Sequence, residues 1–136
     1  MMDNDTLQAA FDKVAADYVK RLDLRVTAVQ AGEVELSMPV AAELVHAGGV
    51  VCGQALMAAA DTAMVIAMIA ELGEFRPMTT VQLQTSFLRP VPSDATEVRI
   101  TATVLRRGKS LAFGTVSLRM PDGRLAAQAT TTYALL

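Results

Sequence analysis

The segment VVCGQALMAAADTAMVIAMIA, from Val50 to Ala70, holds a single charged side chain, Asp61. Its length is close to that of a membrane span. Its content is not, because it is alanine-rich, begins near Gly53 and Gln54, and carries an acid at its centre. A central Asp costs about 2.5–3.5 kcal/mol on insertion scales, and alanines offset little of that. The segment is therefore expected to be a core helix over Gly53–Leu72, stopped by Gly73, with no membrane partner. Any fold of this chain has to wrap that helix and still find a place for the carboxylate.

The remaining pattern supplies the wrapping. NDTLQAAFDKVAADYVK (4–20) puts Leu7, Phe11, Val14 and Tyr18 on one helical face, with Asn4 or Asp5 as cap. LRVTAVQ (24–30) and EVELSMP (33–39) read as strands, since Val34, Leu36 and Met38 alternate with Glu33, Glu35 and Ser37. TTVQLQTSFLRP (79–90) alternates Val81, Leu83, Thr85 and Phe87 against Gln82, Gln84 and Ser86. TEVRITATVLRR (96–107), SLAFGTVSLRM (110–120) and LAAQATTTYAL (125–135) follow, with turns at Gly108 and at Pro121-Asp122-Gly123. Short connections among these four strands predict an antiparallel meander. One apolar helix across a sheet gives a single two-layer α+β domain over residues 1–136. Ala55, Ala59, Ala63, Ala67 and Ala70 allow close approach to the strands.

Composition narrows the function. The 136 residues are 52% hydrophobic, 19% charged and carry a net charge of -2. That balance excludes disorder and argues against a protein that neutralises nucleic-acid phosphates. One cysteine gives no internal disulfide. One histidine and one cysteine cannot build a closed zinc site, so no metal or other cofactor is expected. The acidic start MMDNDTLQAAF lacks a signal-peptide pattern, which makes a reduced cytoplasmic setting the expectation.

Asp61 shares a helical face with Gln54, Ala58 and Val65. Two readings stand there: a carboxylate satisfied by local donors that holds packing together, or a reactive base or nucleophile tuned by dry surroundings. Gly53 bears on the choice. A helix N-terminus offers free N–H groups and partial positive charge, and a glycine leaves room for a ligand. Such groups stabilise the oxyanion of acyl transfer. Eight residues of helix, however, separate Gly53 from Asp61 by about 12 Å. One carbonyl cannot touch both. If they act together, the acid comes from a second copy whose helix runs alongside in reverse, which a two-fold dimer with two equal sites achieves.

The stretch CGQALMAAADTA resembles the His-Gly-Gly-x6-Asp motif of the hotdog-fold acyl-coenzyme A thioesterases of the phenylacetate-pathway type. The Gly53-to-Asp61 spacing matches. So do the FLRP end of the next strand and RGKSLAF in the hairpin beyond it. The resemblance covers the chain from about residue 24 onward. It implies a curved antiparallel sheet around one central helix, hydrolysis of acyl-coenzyme A without a metal, and homodimers, alone or paired into a tetramer. It assigns Asp61 to attack the thioester carbonyl or activate water, and the Gly53 N–H to polarise that carbonyl. Thr80 falls near the attacking water, and His46 where an asparagine commonly orients water or thioester. Gln82, Phe87 and the hairpin Arg106, Arg107, Gly108, Lys109 and Ser110 match positions along the coenzyme A channel, the cations toward its phosphates.

The motif departs from the family at Cys52-Gly53-Gln54 in place of His-Gly-Gly, and at His46. Gln54 would add a polar contact at the site or crowd it. His46 keeps donor and acceptor capacity but adds a titratable group. A Cys52–His46 nucleophile–base pair is outweighed by the plain reading of Cys52 as a packing residue. Gly108-Lys109-Ser110 is no phosphate loop, because strand follows it rather than helix. The methionines, including Met57, Met64 and Met68 on the long helix, read as core. Two other functions remain open at this level: a hotdog hydratase or dehydratase, which wants a histidine beside a carboxylate, and a non-catalytic acyl-coenzyme A binding protein.

Overall fold

The computed structural model describes residues 1–136. In chain order it contains α1 (Asn4–Val14), α2 (Asp17–Lys20), β1 (Arg25–Gln30), β2 (Glu33–Pro39), a short 3-10 turn (Ala42–Leu44), α3 (Gly53–Leu72), β3 (Met78–Phe87), β4 (Glu97–Arg107), β5 (Leu111–Arg119) and β6 (Leu125–Leu135). The six strands form one antiparallel sheet in the order β1-β2-β4-β5-β6-β3. The sheet curves around α3, and α1 closes the open side. This is the hotdog arrangement that the sequence leads one to expect.

The apolar helix is the core. Eleven of its side chains between Ala55 and Ile69 are buried, five of them alanine. The small ones let strands approach, while Leu56, Met64, Ile66, Met68 and Ile69 fill the hollow; burying each large side chain is worth about 1.5–3 kcal/mol. By length and composition α3 is apolar enough to cross a membrane, but its apolar surface is spent inside the domain. Gln54, Ala58, Asp61 and Val65 lie on the one stripe that the sheet leaves partly uncovered. Gly73 ends the helix with φ of 79°, a left-handed value that costs a glycine little.

The single N-terminal helix expected over 4–20 is two. Ala15 and Ala16 are extended and separate α1 from α2. Leu7 and Phe11 are buried, whereas Val14 and Tyr18 are exposed. The break turns the chain so that Leu22 and Leu24, both buried, enter the core instead. The cap is Asp3, whose carboxylate accepts from Thr6 N at 2.8 Å, not Asn4 or Asp5. Gln8 ties α1 to the sheet, accepting from Val26 N at 2.7 Å and donating to the Leu24 carbonyl at 3.1 Å.

The four-strand meander is corrected to three strands. β4, β5 and β6 are joined as consecutive hairpins, but β3 pairs with β6, not with β4. Pro90 and Pro92 deny the segment after β3 the donors a hairpin partner would need. That segment crosses instead below the start of α3. Val51 N donates to Val91 O at 2.9 Å and Ser93 N to Gly49 O at 3.0 Å, which anchors the chain leading into the helix. β3 is thus left as an edge, with Val81 and Phe87 more than half exposed.

Candidate active site

Asp61 sits in the third turn of α3, half buried on the uncovered stripe. Two hydroxyls converge on it from the sheet. Thr80 Oγ1, on β3, donates to Asp61 Oδ1 at 2.8 Å. Tyr133, on β6, points its phenol at the same oxygen and at the Asp61 main-chain carbonyl, 2.8 Å away. Oδ2 receives no donor from the chain, and no cation forms an ion pair with the carboxylate.

A local irregularity in β3 makes this possible. The pairing with β6 slips between Thr80 and Gln82. Strict alternation back from Leu83 would turn Val81 inward and Thr80 outward. The bulge leaves Val81 in solvent and brings Thr80 opposite Tyr133, onto the helix side. The strand pattern therefore predicts Val81 as an inward residue, and the extra residue in the ladder reverses it.

Tyr133 is the member of this cluster that sequence reasoning misses. It lies on the last strand and is 2% exposed. The available signal is its place on the inward face of β6 with Ala127, Ala129 and Thr131: a buried phenol needs a polar partner, and α3 offers one nearby. Burial, followed by the bond to Asp61, pushes its ionisation far above the usual tyrosine range. It stays a neutral donor at every ordinary pH.

Asp61, Thr80 and Tyr133 open onto a cavity of about 320 Å3 whose other walls include Val14 and Val19 from the N-terminal helices and Val65, Phe75 and Met78. The walls are mainly apolar, so an uncharged hydrocarbon group would fit beside the carboxylate.

Gly53 occupies the other end of the helix. The N–H groups of Gly53 and Gln54 have no acceptor within the chain, and Cys52 supplies no side-chain cap. The Phe87 ring lies over Gly53, with ring atoms 3.5 Å from the place a Cβ would take. A cavity of about 280 Å3, lined by Gly53, Leu56, Phe87, Leu88 and Arg89 among others, opens here. It shares no residue with the cavity at Asp61. Within one protomer the amide donor and the acid face separate hollows.

The other expected residues are dispersed. His46 is exposed on the loop before α3, and its Nδ1 accepts from Gly48 N at 2.9 Å, which places the proton of the neutral ring on Nε2. It lines neither cavity and forms no hydrogen bond to Cys52. Gln54 is exposed and lines a third, smaller hollow with Cys52, Tyr18 and Arg21. Gln82 is exposed on β3, and its carbonyl accepts from Thr131 Oγ1 at 2.9 Å.

Of the hairpin cations, Arg107 shares a row of the sheet with two site residues, and none lines either cavity. Arg107, Ala112, Tyr133 and Thr80 stand opposite one another in one row across β4, β5, β6 and β3. Arg107 Nε lies 3.8 Å from Glu71 Oε1 near the end of α3. Arg106 and Lys109 are exposed and make no ion pair. In the turn, Gly108 N donates to Leu111 O at 2.7 Å, and Ser110 O accepts from Leu135 N at 2.8 Å.

Known proteins resemble the chain over nearly all of its length. A protein of Thermoplasma acidophilum that carries a provisional esterase name is 25% identical over 98% of this chain and 97% of its own length. The solved structure of zebra fish thioesterase superfamily member 2 matches with a TM-score of 0.82 at 25% identity, covering 98% of this chain and 95% of that one. The PaaI protein of the E. coli phenylacetic acid degradation operon matches with a TM-score of 0.83 over 99% of this chain and 96% of its own; at 17% identity that likeness is one of fold. The family profile of the thioesterase superfamily matches residues 48–127, a span that takes in Gly53, Asp61 and Thr80. With more than half its length so matched, and with an acid and a helix-start glycine set eight residues apart, the chain belongs to the thioesterase superfamily, whose chemistry is the hydrolysis of thioesters.

Proposed function

We propose that the protein hydrolyses acyl-coenzyme A thioesters at sites shared between two copies of the chain. The observation that carries this reading is the carboxylate of Asp61, held by two hydroxyls at one oxygen and bare at the other, beside an apolar cavity. The thioester carbonyl binds at the free N–H of Gly53 from one copy. Asp61 of the second copy either takes a proton from a water that attacks the carbonyl carbon, or attacks it directly to give an anhydride that water then opens. In both routes the C–S bond breaks, the sulfur leaves as thiolate and takes up a proton, and the amide donor meets the charge that develops on oxygen. Thr80 steadies the acid.

The pairing of copies is supported by the distance of about 12 Å along α3 between donor and acid, by their separate hollows, and by the unpaired edge of β3. Two such edges side by side would run their helices in opposite senses and bring each Gly53 toward the other copy's Asp61. Further pairing of dimers into a tetramer is part of the same reading. The acyl group is assigned to the cavity of about 320 Å3 at Asp61, which suits a compact apolar acid. Gln82 and Phe87 flank the channel, and Arg106 and Lys109, with no ion pair of their own, are suited to phosphate oxygens. The hydratase alternative needs a histidine beside the acid, and His46 is turned away onto its own loop.

Thiol release from a panel of acyl-coenzyme A substrates tests the proposal. Asp61→Asn is expected to lose at least about a hundredfold in rate, the scale for removal of a positioned base. An unchanged rate would remove Asp61 from the mechanism. Hydration of an enoyl thioester with no thiol released would favour a hydratase, and binding with neither reaction a carrier.

A further inference from the structure

We propose that Tyr133 is a positioning residue whose hydroxyl, together with that of Thr80, fixes Asp61 Oδ1 and thereby makes Oδ2 the reacting oxygen. The inference rests on the reading of Asp61 as the reacting carboxylate. A carboxylate has two oxygens and about four lone-pair sites. Here both side-chain donors address one oxygen and leave the other without a partner, on a residue that lines the cavity.

The register accounts for the convergence. Tyr133 and Thr80 are direct partners in the β6–β3 ladder, so their side chains leave the sheet on the same face, within about 5.5 Å of each other at Cβ. On the other flank of Tyr133 stands Ala112, a small buried residue. The phenol is thus held at a fixed height above the sheet, at the level of the third turn of α3. Because burial keeps it protonated, it donates throughout the range in which a carboxylate works. A side chain free to rotate about its last bond would present either oxygen. One gripped at Oδ1 from two strands presents only Oδ2, which is the economy of a preorganised site.

A merely structural role is the rival: a bond from the phenol to the Asp61 main-chain carbonyl alone, tying β6 to α3. The two roles differ in what they do to the acid. Donors to the charged form favour it, so losing a donor from Oδ1 moves the acid limb of the kcat/KM profile toward higher pH. Losing a bond to the main-chain carbonyl does not.

The experiment compares wild type, Asp61→Asn and Tyr133→Phe by steady-state thioester hydrolysis across pH, with thermal unfolding to confirm that each is folded. The expectation for Tyr133→Phe is a fall in kcat of about tenfold with KM within about twofold, and an acid limb displaced upward. A second variant works in the opposite direction and removes no atoms. The chain has two tyrosines, and Tyr18 is exposed. In a Tyr18→Phe background, biosynthetic replacement of tyrosine by 3-fluorotyrosine strengthens the one remaining phenol as a donor and should displace the same limb downward. Limbs that stay in place in both variants, while Asp61→Asn is inactive, would overturn the role of Tyr133 and leave Asp61 standing. Full activity in Asp61→Asn would overturn the reading beneath it.

Discussion

A Cβ added to Gly114 would lie 2.5 Å from Met64 Sδ and 2.8 Å from the Thr103 carbonyl oxygen. Met64, fully buried on α3, enters the sheet through the gap that this glycine leaves in β5. The packing that carries Asp61 three residues earlier on the same helix therefore depends on a missing side chain two strands away from Thr80.

Gly114→Ala is accordingly expected to destabilise the fold by about 1–3 kcal/mol, the usual cost of forcing atoms into a filled core. Part of it should be recovered when Met64 is shortened in the same chain. The rest should remain, because the Thr103 carbonyl is backbone and cannot withdraw. Urea midpoints of the two variants measure this, and an unchanged midpoint for Gly114→Ala would mean that α3 does not rest on β5 as described.

Sites shared between copies can be tested by mixing defects. Asp61→Asn spoils one half of each site and Gly53→Val the other. Co-expressed, half of the dimers pair one variant with the other, and in those one site of the two regains both native groups. The mixture is expected to show on the order of a quarter of the wild-type rate, while each variant alone shows almost none. If donor and acid served one site within a single protomer, no activity would return.

Alkaline stability should report on Tyr133. Burial, with the bond to Asp61 second, holds its proton far above the usual tyrosine range in the folded protein, whereas an unfolded tyrosine ionises near pH 10. Above about pH 10 the unfolded chain binds fewer protons than the folded one, so stability falls as pH rises; below that the contribution is fully present. Urea midpoints between about pH 8 and 11 should decline in the wild type and decline less in Tyr133→Phe. Equal slopes would show that the phenol ionises as readily in the folded state.

Much of the fold was legible because it follows from periodicity. The apolar run at Gly53–Leu72 had one place to go, and the two-residue alternation in 33–39 announced a half-buried sheet. The partner of β3 was not legible, since short connections suggest neighbours and only the two prolines hinted at a crossing. Asp61 and Gly53 stood out for local reasons, a lone charge and a missing side chain at a helix start. Tyr133 did not, because its meaning depends on a cross-sheet neighbour more than fifty residues away in sequence, brought opposite by a bulge that no local pattern encodes.

Thr80 hangs from a strand that is hydrogen-bonded along one flank only. The acid's support is thus borrowed from the edge of the sheet that a second copy would cover, while the helix that bears it is held inside the domain. Sequence changes along β3 should therefore act on the joining of copies and on turnover together, so that loss of one accompanies loss of the other.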